Sequence, residues 1–137
     1  MNYKGYVSSR SFGGMSIPVP AQNSSLREYV AQQNGIYVLP NLESSFDNCF
    51  HQLFGAVNMV DSESTIVMYS LTMLPSGSKL TRFLSSCKIK NISLAFVLEN
   101  ILVSKNFSRI HDELESYKLS RLELDKIGWD ALVDMYY

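Results

Sequence analysis

Short apolar runs alternate with stretches of helical spacing along this chain, and that alternation restricts the fold more than any other feature. The predicted strands are residues 3–8, 36–39, 65–69 and 92–98, and the predicted helices are residues 21–34, 46–57, 80–87 and 107–117. Strands that alternate with helices form a parallel sheet covered by helices on both faces. Because crossovers between parallel strands are right-handed, few topologies remain. We expect an α/β fold with a three-layer open parallel sheet of about four strands in the order 2-1-3-4.

The boundaries of these elements carry recognisable stop and cap signals. Gly35 follows the first helix and Pro40 closes the second strand. Ser45 is a candidate cap for the second helix, and Ser76 or Ser78 for the third. The pattern predicts a single domain over residues 1–137 with its core in about 3–117, and residues 118–137 as a docking helix or a tail.

Composition narrows the functional classes. The chain has 12 Lys and Arg against 13 Asp and Glu, whereas a nucleic-acid binder usually carries a basic excess, so we expect no nucleic-acid partner. No secretory leader and no apolar run long enough for a membrane span is visible, which predicts a cytoplasmic protein. Cys49 and Cys87 fall in helical stretches and are expected in the core, and no His, Cys or Asp spacing suggests a metal or another cofactor.

The polar residues that follow the strands indicate a site. In the order 2-1-3-4, the switch point lies between strands one and three, where open sheets of this kind bind ligands. Hydroxyls, a guanidinium and a carboxylate follow strands one, three and four, and we expect them to converge at that edge: Ser8, Ser9, Arg10, Ser70, Thr72 and Glu99.

The residue types suggest roles at this edge. Arg10 is a candidate clamp for a carboxylate or a phosphate, because its planar fork bonds two oxygens at once. Gly13 and Gly14 permit close approach of a backbone, and Gln22 and Arg27 lie at the start of the first helix. The candidate catalytic residues are Ser8, Ser9, Arg10 and Glu99, and the candidate substrate-binding residues are Gly13, Gly14, Gln22, Arg27, Ser70 and Thr72. A polar loop with a surface arginine, and ordinary turn chemistry after strand three, stay open as alternatives.

Residues 3–101 resemble the catalytic domain of serine recombinases of the resolvase–invertase type. The likeness rests on Gly5-Tyr6 followed by a serine, on residues 22–35 as the first helix with its glycine stop, and on residues 70–74. It implies a resolvase-like, flavodoxin-like fold. The activity is not expected, because those enzymes place a nucleophilic serine two residues after an arginine, and Ser8-Ser9-Arg10 reverses that order. Their turn with one aspartate and two arginines falls on Thr72, Met73 and Ser76, which carry no charge.

A second resemblance spans most of the chain. It is to the sporadic carbohydrate cluster protein family of bacteria, whose genes lie among those for surface polysaccharide. It is carried by residues 5–10, 12–14, 17–20, 37–40, 73–75 and 97–99, together with Gln22, Arg27 and Tyr29. It implies a role in making or modifying an unusual sugar, often of lipopolysaccharide O-antigen.

From this resemblance we expect a cytoplasmic protein that binds or modifies an acidic or nucleotide-linked sugar at the ends of strands one, three and four. As an enzyme it would be an isomerase, a lyase or a transferase, working without a cofactor. One alternative is a non-catalytic partner that stabilises another enzyme of the pathway, either as a homo-oligomer or bound to that enzyme. A third hypothesis is a degenerate recombinase-like DNA-binding domain.

Overall fold

A computed structural model describes residues 1–43, 46 and 48–116. Its elements are β1 (Asn2–Ser8), α1 (Val19–Gln32), β2 (Ile36–Val38), β3 (Leu42–Glu43), α2 (His51–Met59), β4 (Thr65–Met68), a 3-10 turn (Leu71–Met73), α3 (Gly77–Lys90), β5 (Ser93–Phe96), β6 (Ile101–Val103) and α4, residues 108–116. Contacts group Met1–Phe107 as one compact unit, and a second begins at Ser108. The predicted docking segment, residues 118–137, lies outside the described residues, and the single domain over the whole chain stays a prediction.

The sheet has the strand order β2-β1-β4-β5-β6, in which every neighbouring pair is parallel except β5 and β6. The expected order 2-1-3-4 is therefore confirmed, since β4 and β5 are the predicted third and fourth strands. Two short strands were not predicted. β3 pairs with the last residues of β1, and β6 forms because the run 92–98 stops at a tight turn over residues 97–100. Asn100 makes the reversal with a φ of 55°, a conformation that asparagine tolerates.

The core lies on both faces of the sheet. On the first face, residues of β1, β4, β5 and α1 pack together: Tyr3, Val7, Leu26, Val30, Val67 and Ala95. Tyr6 points to the opposite face because side chains alternate along a strand, and this face is covered by α2. β2 was predicted as a buried strand, but Ile36 is 63% exposed, because an edge strand has a neighbour on one side alone.

The start of α2 differs from its prediction. The helix begins at His51 and not near Phe46, which is 78% exposed. The side chain of Glu43 accepts hydrogen bonds from the backbone N–H groups of Gln52 and Leu53, so a carboxylate distant in sequence caps this helix. Ser45, the predicted cap, lies outside the described residues.

Candidate functional site

A cavity of about 200 Å³ opens at the carboxyl ends of β1 and β4. Its walls come from three segments that lie far apart in the sequence. They include Ser8, Arg10 and Ser11 after β1, Asn48 and Phe50 before α2, and Thr72 after β4. The chain exits of the first and third predicted strands thus meet at one pocket, as the strand order requires.

Arg10 forms one side of this pocket and braces the segment that precedes α2. Its guanidinium donates to the carbonyl of Phe46 at 3.1 Å, to the carbonyl of Cys49, and to the hydroxyl of Tyr6 at 3.3 Å. The same group lies 4.5 Å from the centroid of the Phe50 ring, in cation–π geometry. Three of its five N–H donors and one face are therefore committed to the protein.

Tyr6 and Glu43 form a buried polar chain beneath Arg10. Glu43 is 2% exposed, and it accepts from the Tyr6 hydroxyl at 3.1 Å and from the Leu53 N–H at 3.2 Å. Burial raises the pKa of the Tyr6 phenol, the Glu43 charge raises this pKa further, and the Arg10 charge opposes the rise. Tyr6 consequently stays protonated and links the carboxylate to the guanidinium as a neutral donor and acceptor.

Ser8 and Gln22 fix the end of β1. Gln22 is 0% exposed; its amide accepts from the Ser8 N–H at 3.2 Å and donates to the carbonyls of Ser8 and Ile17 at 2.7 and 2.8 Å. The Ser8 hydroxyl accepts from the Arg10 N–H at 3.2 Å. Gln22 was predicted to bind substrate, but in this structure its amide bonds backbone groups and links the end of β1 to the loop before α1.

Ser70, Thr72 and Glu99 form a second network at the exits of β4 and β5. The Glu99 carboxylate accepts from the Ser70 hydroxyl at 2.9 Å and from the Leu71 N–H at 2.7 Å. The Ser70 and Thr72 hydroxyls are 2.8 Å apart. Thr72 lines the cavity, whereas Ser70 is 0% exposed, so the predicted acid or base Glu99 ties together two strand ends.

The glycine loop closes against this second network. Gly13 has a φ of 57°, and a Cβ added there would lie 2.7 Å from the Thr72 hydroxyl oxygen. Gly14 also has a positive φ, 75°, and the neighbouring Phe12 ring packs 6.0 Å from the ring of Tyr69. The two glycines therefore bring the loop after β1 into contact with the segment after β4.

Two predicted site residues lie apart from the cavity. Ser9 is exposed and is not in its lining, and Arg27 lies over the Tyr37 ring at 5.5 Å. The Tyr37 hydroxyl donates to Asn23 at 2.7 Å, and burial raises the pKa of Tyr37 to about 12 although Arg27 lowers it. The structure joins Ser8, Arg10 and Thr72 around one pocket, but it does not bring Arg27 to them. Catalytic and substrate-binding roles for all of these residues stay predictions.

Sequence reasoning missed Glu43, Asn48 and Phe50. Glu43 lies in a polar stretch that resembles an ordinary loop, and its capping hydrogen bond joins residues that are nine positions apart.

Within the described part of the chain, no three His, Cys, Asp or Glu side chains are grouped to hold a metal, and no helix there has the length and hydropathy to cross a membrane.

Comparison with known proteins gives matches among solved structures. No protein-family model and no curated protein matches this chain. The N-terminal catalytic domain of TP901-1 integrase superposes with a TM-score of 0.59 at 17% identity, over 90% of this chain and 96% of that one. A resolvase family site-specific recombinase from Streptococcus pneumoniae gives a TM-score of 0.54 at 13% identity, over 97% of each chain.

These matches correct the functional expectations. The predicted role in surface-polysaccharide biosynthesis is wrong, because the structural neighbours are recombinase domains. Membership of the sporadic carbohydrate cluster family is not confirmed. The exclusion of a nucleic-acid partner is overturned by the same neighbours. The exclusion relied on the net charge of the whole chain, which does not show where the charges lie. The helix α3 carries four Lys and Arg residues and no carboxylate. The chain has the fold of serine recombinase catalytic domains.

Proposed function

We propose that this chain is a DNA-binding domain with the serine recombinase fold that does not itself cleave DNA. The observation that carries the proposal is the match in fold over 90 and 97% of this chain to an integrase catalytic domain and a site-specific recombinase. The first of those proteins is an integrase and the second is a site-specific recombinase. A fold match over nearly the whole of each chain favours a role in which this chain also binds DNA.

The geometry of the pocket supports binding without cleavage. Phosphoryl transfer to a serine needs an activated hydroxyl and cations that stabilise the charge of the transferring phosphate. Among the described residues that line the pocket, Arg10 alone carries a guanidinium, and three of its donors bind protein oxygens. Met73 and Ser76 stand where the recombinase resemblance places two further arginines.

Two serines of this region, Ser8 and Ser70, are also poorly placed for attack. Ser8 is 2% exposed, and its hydroxyl accepts a hydrogen bond from the Arg10 N–H. Ser70 donates to Glu99 from a fully buried position. With these two hydroxyls engaged and with no charge at Met73 and Ser76, we expect the pocket to leave a phosphodiester intact. Ser11 lines the pocket and is exposed, so it is the serine that a cleavage test has to exclude.

Binding and cleavage are tested separately on the same protein. The full chain is titrated against a fluorescein-labelled DNA duplex by fluorescence anisotropy over a series of salt concentrations, and it is incubated with supercoiled plasmid. We expect binding that weakens steeply with salt, since counterions are released from the phosphates. The plasmid should stay supercoiled, with no covalent protein–DNA product on a denaturing gel.

Two results contradict the proposal. If the wild-type protein does not bind the duplex at the lowest salt concentration, the proposed DNA binding is wrong. Plasmid nicking that disappears in Ser8→Ala or Ser11→Ala shows a nucleophilic serine and refutes binding without cleavage. A Ser24→Ala variant is the matched control for these substitutions, because Ser24 is an exposed hydroxyl on α1 and does not line the pocket.

A further inference from the structure

The helix α3 has an unusual charge composition. Four of the chain's twelve Lys and Arg residues lie in its 14 residues, and it contains no Asp or Glu. The neighbouring helix α2, with the sequence HQLFGAVNM, also has no carboxylate and no Lys or Arg. The two helices contribute four positive charges to a chain whose net charge is −1.

Three of these cations follow one line along α3, on the side that meets α2. Lys79 donates to the carbonyl of Asn48, just before α2, at 2.8 Å. The Arg82 guanidinium lies 5.1 Å from the centroid of the Phe54 ring, in the middle of α2. Lys90 donates to the carbonyl of Val57, near the end of α2, at 2.7 Å. We call Lys79, Arg82 and Lys90 the α2–α3 seam.

The length of the seam suits a charged polymer. Lys79 and Lys90 are separated by about three helical turns, or about 16 Å at the rise of an α-helix. Lys88 lies on the opposite side of the same helix, because it follows Lys79 by about two and a half turns. A duplex carries one phosphate every ~3.4 Å along each strand, so several phosphates of one strand fit this distance.

The cations of the seam are held in place before any ligand arrives. The carbonyls of Asn48 and Val57 and the ring of Phe54 orient them, although Arg82 is exposed and Lys79 and Lys90 are half-buried. Ordering a free Lys or Arg side chain costs up to about 2 kcal/mol of conformational entropy, and part of that cost is already met here. Among the described residues, no oxygen accepts a hydrogen bond from the side chain of Arg82, whose exposed guanidinium contacts the Phe54 ring.

We infer that the α2–α3 seam is the surface on which this protein binds the phosphate backbone of DNA. The inference rests on the proposed function, and it adds the location and the chemistry of the contact. The seam reads charge and not sequence, because phosphates carry no base information. None of its three residues lines the pocket at the ends of β1 and β4, although Lys79 donates to Asn48, which does.

The test compares two double variants of the full chain with equal loss of charge. Lys79→Gln with Arg82→Gln removes two seam cations and keeps side chains long enough to cover the rings of α2. Lys88→Gln with Lys105→Gln removes two exposed cations outside the seam and is the matched control. Lys90 is left unchanged, because it donates to carbonyls at the end of α2 and helps to hold that helix. Thermal melts confirm that each variant folds.

Each protein is titrated against the same fluorescein-labelled duplex from about 50 to 200 mM salt. We expect the seam variant to bind at least about tenfold more weakly and to lower the slope of log K against log salt by about 2, since two phosphate contacts are lost. The control variant should stay close to wild type. Equal binding by the two variants overturns the inference and leaves the proposed function standing. If the wild type does not bind at all, the proposed function and this inference both fail.

Discussion

The buried hydroxyl of Tyr6 offers a sharp test of how the pocket is held together. Tyr6→Phe removes one oxygen from a side chain that is 1% exposed and leaves the ring in place. The lost hydroxyl donates to Glu43 at 3.1 Å and accepts from Arg10 at 3.3 Å. A hydrogen bond to a charged group contributes about 1.5–3 kcal/mol. Because Glu43 keeps its two backbone donors, we expect a loss of about 2 kcal/mol in the free energy of unfolding.

The measurement is urea denaturation and thermal unfolding at pH 7, followed by circular dichroism. For a chain of this length, the expected fall in the midpoint temperature is about 6–8 °C. Tyr37→Phe is the matched control, because its hydroxyl donates to the neutral Asn23 from a half-buried ring and should cost less than about 1 kcal/mol. A Tyr6→Phe protein as stable as wild type would refute the bracing of Arg10 and Glu43 by Tyr6.

The pH dependence of the same pair follows from the pKa of Tyr6. In the folded protein the phenol pKa lies above its ordinary value of 10.0, chiefly through burial. The stability that depends on the protonated phenol is therefore present below pH 10 and lost as the pH rises above it, because the unfolded chain ionises first. We expect the stability difference between wild type and Tyr6→Phe to shrink above pH 10. A difference that stays constant from pH 8 to about 11 contradicts this linkage.

Two further predictions concern the glycine loop and the cysteines. Gly13→Ala should destabilise the fold by about 2 kcal/mol in urea denaturation, because the added methyl group brings left-handed backbone strain and collides with Thr72. Gly55→Ala is the control and should stabilise the fold by about 0.5–1 kcal/mol, because this helix position is open. Equal effects of the two substitutions would contradict the packing of the glycine loop against Thr72. Burial raises the pKa of Cys87 to about 12. A thiol reagent at pH 8 should therefore modify Cys49 in the native protein and reach Cys87 only after denaturant is added. Rapid reaction of the native Cys49→Ala variant would contradict the burial of Cys87.

The strand order could be predicted from the sequence because it follows from strong, local patterns. The apolar runs at 65–69 and 92–98 contain β4 and β5. Nearly every side chain of these two strands is buried, so each strand is visible in the sequence as a continuous apolar run. β6 and β3 were missed because they are three and two residues long. The exposure of Ile36 was missed because an apolar run looks the same at the centre and at the edge of a sheet.

The pocket could be located from the sequence, but its bonding could not. The switch point follows from strand order, so Ser8, Arg10 and Thr72 were expected near one another. Two of the three hydrogen-bond partners of the Arg10 side chain were not foreseeable, since they are the carbonyls of Phe46 and Cys49, more than 35 residues away along the chain. Gln22 shows the same limit, because its amide fits a ligand and a strand terminus equally well until the fold is known.

The exclusion of a nucleic-acid partner failed for a different reason, because it rested on net charge. Net charge sums over the whole chain, but a phosphate backbone responds to charges within about a Debye length, ~8–10 Å, of its surface. The cations of α3 are cancelled in the total by carboxylates elsewhere in the sequence, such as Asp61 and Glu63 before β4. A count per element, which gives four cations and no acid in α3, was available in the sequence and supports the proposed seam.

The most direct test of the central claim is an amide chemical-shift titration of the isotope-labelled full chain with a short DNA duplex at low salt. DNA binding on the α2–α3 seam predicts shifts that cluster on residues 79–90 and the adjoining start of α2. These shifts should disappear at high salt, and β2 at residues 36–38 should not shift. A spectrum unchanged by DNA would contradict DNA binding by this fold. Shifts confined to the β2 edge would contradict the seam.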